Sequence, residues 1–220
     1  MVELAIFDMD GLIIDSEPIS KNCWRSALEH HQFEMNDEFF IQLIGRNQAT
    51  ARELMSKYYG PSFDFDKVKA KQDEIKDAYV EKHGMPLKKG LIHMLNRLDE
   101  LGIKKCVATS TGWDSMQKTL GDLDLLNRYD AFITGDRVKI GKPNPEIFLK
   151  AAEMLNASPD KCVVLEDSAA GIAAAYAAGM KAILIPDTIP PTEEVLKQIY
   201  AQCGDLIEAA EIIANLHLKS

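Results

Sequence analysis

Leu4-Ala5-Ile6-Phe7-Asp8-Met9-Asp10-Gly11-Leu12-Ile13-Ile14-Asp15-Ser16 is the stretch on which the reading of the fold turns. A short apolar run ends abruptly in two carboxylates two residues apart, followed at once by glycine. Such a run reads as a buried strand closed by a turn. Carboxylates at the mouth of a buried strand cost free energy unless something pairs with them. Asp8 and Asp10 project to the same side while the chain stays extended, and Gly11 invites it to turn. Taken alone, the stretch is equally well an Asp-rich turn ending a strand. The decision rests on whether the rest of the chain brings a cation and an anion-binding surface to the same place.

Beyond Asp15 the pattern is helical for about seventy residues. Trp24 and Leu28 mark one amphipathic helix. Phe39, Phe40, Leu43 and Ile44 mark a second, halted near Gly45. Ala51, Leu54, Met55 and Tyr58 mark a third, and Val68 to Val80 a charged fourth. Gly60-Pro61 and Gly84-Met85-Pro86 are breaks. From Pro86 the rhythm changes to alternation. A helix over 91–101 is closed by Gly102 and followed by a strand over 105–109. A helix over 113–120 precedes a strand over 131–134. Asn144-Pro145-Glu146 opens a helix with Asn144 as its cap. A strand over 162–165, a small-residue helix over 169–178 and a strand over 182–185 follow. A helix over 192–200 and, after Gly204, a short strand and a helix complete the expectation.

Alternation of this kind implies an α/β fold, a doubly wound parallel sheet with helices on both faces. The helical block then reads as an insertion. The expected division is a core of 1–15 and 86–220 with a helical cap of 16–85.

Hydrophobic content of 46% with 27% charged residues is ordinary for a globular chain of 220 residues. The formal net charge of -9 argues against nucleic acid or an anionic membrane as the partner. Cys23, Cys106, Cys162 and Cys203 lack metal-like spacing, and reduced thiols are expected. With no leader-like or membrane-length apolar run, a cytoplasmic protein is expected, with monomer as the default state.

In doubly wound sheets, ligands sit outside the carboxyl ends of the strands. Each expected strand there hands over to polar residues. The first gives Asp8 and Asp10; the second gives Thr109-Ser110-Thr111 ahead of a helix. Gly141-Lys142-Pro143 follows the third, and Glu166-Asp167-Ser168 follows the fourth. Singly, Thr109 reads as a strand end, Ser168 as a helix cap and Lys142 as a solvated lysine. Their convergence on one sheet edge is the signal. Oxygen ligands from Asp8, Asp10 and Asp167 suit Mg²⁺, which favours a substrate phosphate in its shell. No His or Cys cluster suggests zinc.

Chemistry follows from charge. A carboxylate attacking a phosphate dianion meets repulsion that Mg²⁺, Lys142 and helix N-terminal amides offset. Asp8 is the candidate nucleophile, forming an aspartyl phosphate. Asp10 is the candidate acid and base. Thr109 and Ser110 are candidates for binding phosphate oxygens.

These motifs resemble the haloacid dehalogenase superfamily, in particular its β-phosphoglucomutase-like phosphatases with a small helical cap. Asp8-Met9-Asp10-Gly11, Thr109, Lys142 and Glu166-Asp167 match the four motifs in order. Gly141-Lys142-Pro143-Asn144-Pro145-Glu146-Ile147-Phe148 and Leu165-Glu166-Asp167-Ser168-Ala169-Ala170-Gly171 read like the same group. The resemblance implies a metal-dependent phosphatase acting on a small phosphorylated metabolite, a sugar or polyol phosphate. It implies Mg²⁺ held by the side chains of Asp8 and Asp167 and the main-chain carbonyl of Asp10, with Glu166 close by. Glu17, Arg46 and Asn47 fall where such caps meet substrate, although Arg46 reads equally as a surface arginine. Dehalogenases lack the second aspartate, so Asp10 favours phosphoryl transfer. The mutase carries a histidine where this chain has Ser20, which favours hydrolysis over mutase-type transfer. Two rivals are a phospho-accepting receiver and a non-catalytic phosphate-binding protein. A receiver needs neither the second aspartate nor a helical cap.

Overall fold

The computed structural model describes residues 1–43, 48–186 and 190–219. Six parallel strands form one sheet in the order β3-β2-β1-β4-β5-β6: β1 Leu4–Phe7, β2 Lys104–Thr109, β3 Ala131–Thr134, β4 Cys162–Glu166, β5 Lys181–Leu184 and β6 Ala201–Gln202. The opening stretch supplies the central strand. Leu4 pairs with both Lys104 and Cys162, and Phe7 with both Val107 and Leu165. All four β1 residues are buried. That explains an unbroken apolar run, because a parallel strand flanked on both faces has no solvent side to mark with polar residues.

The chain divides into two compact units, Met1–Asp15 with Leu87–Ser220, and Ser16–Pro86. The sheet belongs to the first. Its helices are α5 Leu91–Glu100, α6 Trp113–Asp122, α7 Glu146–Met154, α8 Ala169–Ala177, α9 Glu193–Leu196 and α10 Leu206–Leu218, in a numbering that leaves α1 to α4 for the second unit. On one face, Leu4, Ile6, Cys106, Ala108, Ile133 and Val164 pack with Ile147 and Phe148 of α7 and Ile172 and Ala175 of α8. On the α5 side, α10 packs on α5.

The second unit holds α1 Glu17–His30, α2 Asp37–Ile41, α3 Gln48–Tyr59 and α4 Phe65–His83. Ala27, Leu28, Phe39, Met55, Phe63, Phe65 and Val68 form its own apolar core, edged by Trp24, Phe33 and Tyr59. α4 starts before the expected 68–80 because Asp64 caps it, accepting from Lys67 N–H at 3.2 Å, and it runs on to His83, where Gly84 at φ +74° ends it. α2 stops at Ile41 and Leu43 lies in a turn, while Ile44 and Gly45 fall outside the described residues.

Where the core is severed by this helical block, its two cut ends are joined to each other. Ile14 bridges Leu87, the Lys88 N–H donates to Ile13 O at 3.0 Å, and Lys88 Nζ meets Asp15 Oδ1 at 3.2 Å.

Two expectations need correction. The helix expected over 192–200 is a single turn, α9, and the last strand lies before Gly204, where Tyr200 N–H and Cys203 N–H reach Ala182 and Leu184 on β5. Pairing with β5 claims a segment whose residues also suit a helix. At α7 the first helical bonds run to Pro145 O, and Asn144 Oδ1 accepts from Glu146 N–H at 3.0 Å, the bond expected of a capping side chain. All four cysteines are free and buried. Among the described residues, no helix is long and apolar enough to cross a membrane.

Candidate active site

The parallel register delivers the ends of β1, β2 and β4 to one edge of the sheet. At the end of β1 the chain turns tightly. Met9 O accepts from Leu12, Ile13 and Ile14 N–H, Gly11 N–H donates to Ile14 O at 2.9 Å, and Gly11 takes φ +83°. A side chain at Gly11 is excluded twice over. Its φ lies in the left-handed region, and a Cβ there would come 2.2 Å from Asp167 Oδ2. Glycine thus lets the Asp167 carboxyl lie directly on the backbone of the first acidic loop.

Lys142 ties the site together. Its Nζ donates to Asp8 Oδ1 at 2.5 Å, Glu166 Oε1 at 2.6 Å and Ala108 O at 3.0 Å. These partners come from β1, β2 and β4, so one ammonium reads three strand ends. The Lys142 side chain is 6% exposed and that of Glu166 0%. Burial acts to pull the lysine down, but the Asp8 and Glu166 carboxylates together hold it above its ordinary value. Burial pushes Asp8 up to about 7, with Lys142 opposing the rise and the charges of Glu166 and Asp10 adding to it. Burial also raises Asp167, helped by Glu166 and Asp8.

Glu166 is held from behind. Ser168 N–H and Oγ donate to Oε2 at 3.2 and 2.9 Å, while Ser168 Oγ also accepts from Gly171 N–H at 3.1 Å. A Cβ at Gly171 would lie 1.9 Å from the Glu166 carboxyl. The sequence marks Gly171 as the end of the family-like string and as one small residue in a small-residue helix, but neither reading shows its contact with Glu166.

At the end of β2, Thr109 is 1% exposed and its Oγ1 accepts from Thr111 N–H at 3.0 Å. Ser110, expected beside it, is exposed. Thr111, to which sequence assigned no separate role, donates from Oγ1 to Asp10 Oδ2 at 2.7 Å. Glu17 heads α1 in the other unit and is half-buried; Arg46 and Asn47 lie outside the described residues.

The carboxyls of Asp8 and Glu166 share one ammonium, Asp167 lies within electrostatic reach of all three groups, and Asp10 is near enough to act on Asp8. That donor set is oxygen-only and carries surplus negative charge, which suits a hard divalent cation. Among the described residues, no three His, Cys, Asp or Glu side chains form a ready-made metal cage. A ligand set of two carboxylates and one main-chain carbonyl needs no such cage.

Residues 5–185 match the family model for haloacid dehalogenase-like hydrolases. The chain belongs to that family. Among curated relatives, this hydrolase is 31% identical over 182 residues to the phosphorylated carbohydrates phosphatase of Thermotoga maritima, covering 83% of this chain and 84% of the relative. It is 30% identical over 180 residues to the fructose-1-phosphate phosphatase of Escherichia coli, covering 81% and 93%. Among solved structures, the beta-phosphoglucomutase of Clostridium difficile superposes over the whole of both chains with a TM-score of 0.76 at 21% identity, a likeness of fold.

Proposed function

We propose that this haloacid dehalogenase-like hydrolase is a Mg²⁺-dependent phosphatase that works through an aspartyl phosphate at Asp8. The observation that carries the reading is the Lys142 ammonium shared by Asp8 and Glu166 at the strand ends, with Asp10 two residues from Asp8. A structural salt bridge needs one carboxylate. A second buried beside it, with Asp167 next to both, is costly unless a cationic or phosphoryl group completes the site.

The reaction has two halves. A carboxylate oxygen of Asp8 attacks phosphorus as the bond to the leaving oxygen breaks, and Asp10 gives its proton to that oxygen. Water then attacks the aspartyl phosphate, passing a proton to Asp10, and the P–O bond to Asp8 breaks to release inorganic phosphate. Lys142 offsets charge on Asp8 and the phosphoryl oxygens, and Thr109 with Ser110 binds those oxygens. The Asp8 and Asp167 side chains and the Asp10 carbonyl would hold Mg²⁺, with Glu166 behind them. The metal supplies charge neutralisation that lets an anionic nucleophile approach an anionic phosphate.

Relatives named for phosphorylated carbohydrates and fructose 1-phosphate support a sugar or polyol phosphate as substrate. The unit of residues 16–86 is assigned the role of a cap that selects the leaving group, with Glu17, Arg46 and Asn47 as its candidate contacts. The net charge of -9 and the free cysteines support a cytoplasmic enzyme of small metabolites, with no nucleic acid or membrane partner, taken as a monomer.

Release of p-nitrophenol from p-nitrophenyl phosphate, with Mg²⁺ and with chelator, tests the reading. Turnover is expected only with metal and is expected to vanish in Asp8→Asn. Undiminished turnover in that variant would sink the nucleophile assignment.

A further inference from the structure

Asp10 has its backbone fixed by the turn that follows β1: Asp10 bridges Ile14, and Gly11 N–H donates to Ile14 O. Nothing in that turn fixes the carboxyl, which is only half-buried and swings on two side-chain torsions. An acid that must meet a leaving oxygen and later a water loses much of its effect when displaced by about 1 Å. The turn therefore leaves one requirement to be met from elsewhere.

It is met by the loop after β2, 101 residues away, where the Thr111 hydroxyl lies 2.7 Å from Asp10 Oδ2. Thr111 is itself pinned on two further sides. Its N–H donates to Thr109 Oγ1 at 3.0 Å, and its carbonyl accepts from Gly135 N–H at 3.2 Å. Gly135 permits that approach, since a Cβ there would lie 2.3 Å from Ser110 O. A β-branched side chain is stiff at χ1, so a fixed Thr111 backbone gives a fixed hydroxyl.

The geometry points to Thr111 as a positioning residue for Asp10, its hydroxyl holding the carboxyl in one orientation through both halves of the reaction. The inference rests on the phosphatase reading above. A hydroxyl suits the task because it donates to a carboxylate and accepts from a carboxylic acid. One contact thus serves Asp10 before and after it gives up its proton, whereas a lysine or a main-chain N–H could only donate.

Three forms of the full-length protein test this with Mg²⁺ present: wild type, Thr111→Val and Thr111→Ser. The two substrates are p-nitrophenyl phosphate and phenyl phosphate, nearly alike in shape. Phenoxide is the more basic leaving group, with a conjugate acid pKa of about 10 like that of tyrosine, and needs the proton more. The specificity constant kcat/KM covers the steps up to leaving-group departure. Thr111→Val is expected to lose about tenfold more kcat/KM on phenyl phosphate than on p-nitrophenyl phosphate, a fraction of what general acid catalysis contributes. Its KM and denaturation midpoint are expected to stay near wild type, and Thr111→Ser to recover most of the loss. Equal losses on both substrates, no loss, or a serine variant as impaired as the valine one each overturn the inference alone. A wild type idle on both substrates overturns the phosphatase reading and this inference with it.

Discussion

Both units of this chain carry exposed ion pairs, such as Lys71–Glu74 in the helical unit and Lys118–Asp122 in the sheet unit, but among the described residues only the sheet unit adds a buried cluster. In the helical unit the ion pairs are exposed, whether local or not: Lys71–Glu74 at 2.7 Å spans three residues, and Arg52–Asp66, bidentate at 2.6 Å, spans 14. In the sheet unit, Lys142 reaches Asp8 and Glu166 across 134 and 24 residues and is nearly sealed from water. Exposed pairs contribute little because water competes for both partners. Buried ones carry a desolvation cost that geometry must offset, so a fold keeps them where their chemistry is used. The contrast separates charge that solubilises from charge that acts.

The sharpest way to break the contrast is Lys142→Met. It leaves Asp8 and Glu166 facing each other without their shared cation. The expected cost is about 3–5 kcal/mol in denaturant unfolding of the metal-free protein, with loss of turnover. A cost like that of a surface pair would show that the site is wetter than its burial implies. Next is Gly171→Ala. An exposed helix would gain up to about 1 kcal/mol from this change. Here the added methyl meets the Glu166 carboxyl, so a loss of about 1–3 kcal/mol is expected, with weaker turnover. A stabilised variant would mean that Glu166 can move aside freely. The smallest effect belongs to Arg52→Ala, in the helical unit. Despite two hydrogen bonds to Asp66 and a place 4.6 Å over the Phe65 ring, it is expected to cost about 1 kcal/mol or less in thermal unfolding. Turnover of p-nitrophenyl phosphate is expected to be unchanged.

Much of the sheet unit could be read from sequence because a parallel sheet leaves little choice. Each apolar run ending in polar residues must end at the same edge, so the sequence alone implies that Asp8, Lys142 and Glu166 share it. What sequence could not supply was orientation. The Thr111 hydroxyl and the exposed Ser110 sit side by side in one run of three hydroxyls, and which of them meets Asp10 depends on backbone contacts with Gly135, far away in sequence. Gly171 was hidden for a related reason, because its neighbour Glu166 is close in space through the turn at Ser168. The segment around Tyr200 misled in the other direction, its residues suiting a helix while β5 offered a free edge. Arg46 and Asn47 remain sequence expectations.

The hydrogen-bonded closure of Ile13–Asp15 on Leu87–Lys88 makes the sheet unit tolerant of what lies between. A chain interrupted at a point where its own ends already hold each other is indifferent to what is spliced in there. Lengthening or exchanging the spliced cassette costs only the slow logarithmic entropy of a longer loop, about 0.6 kcal/mol per doubling. A change in the length of the segment between Asp15 and Leu87 is therefore expected to leave the seam, and the acidic edge beside it, in place.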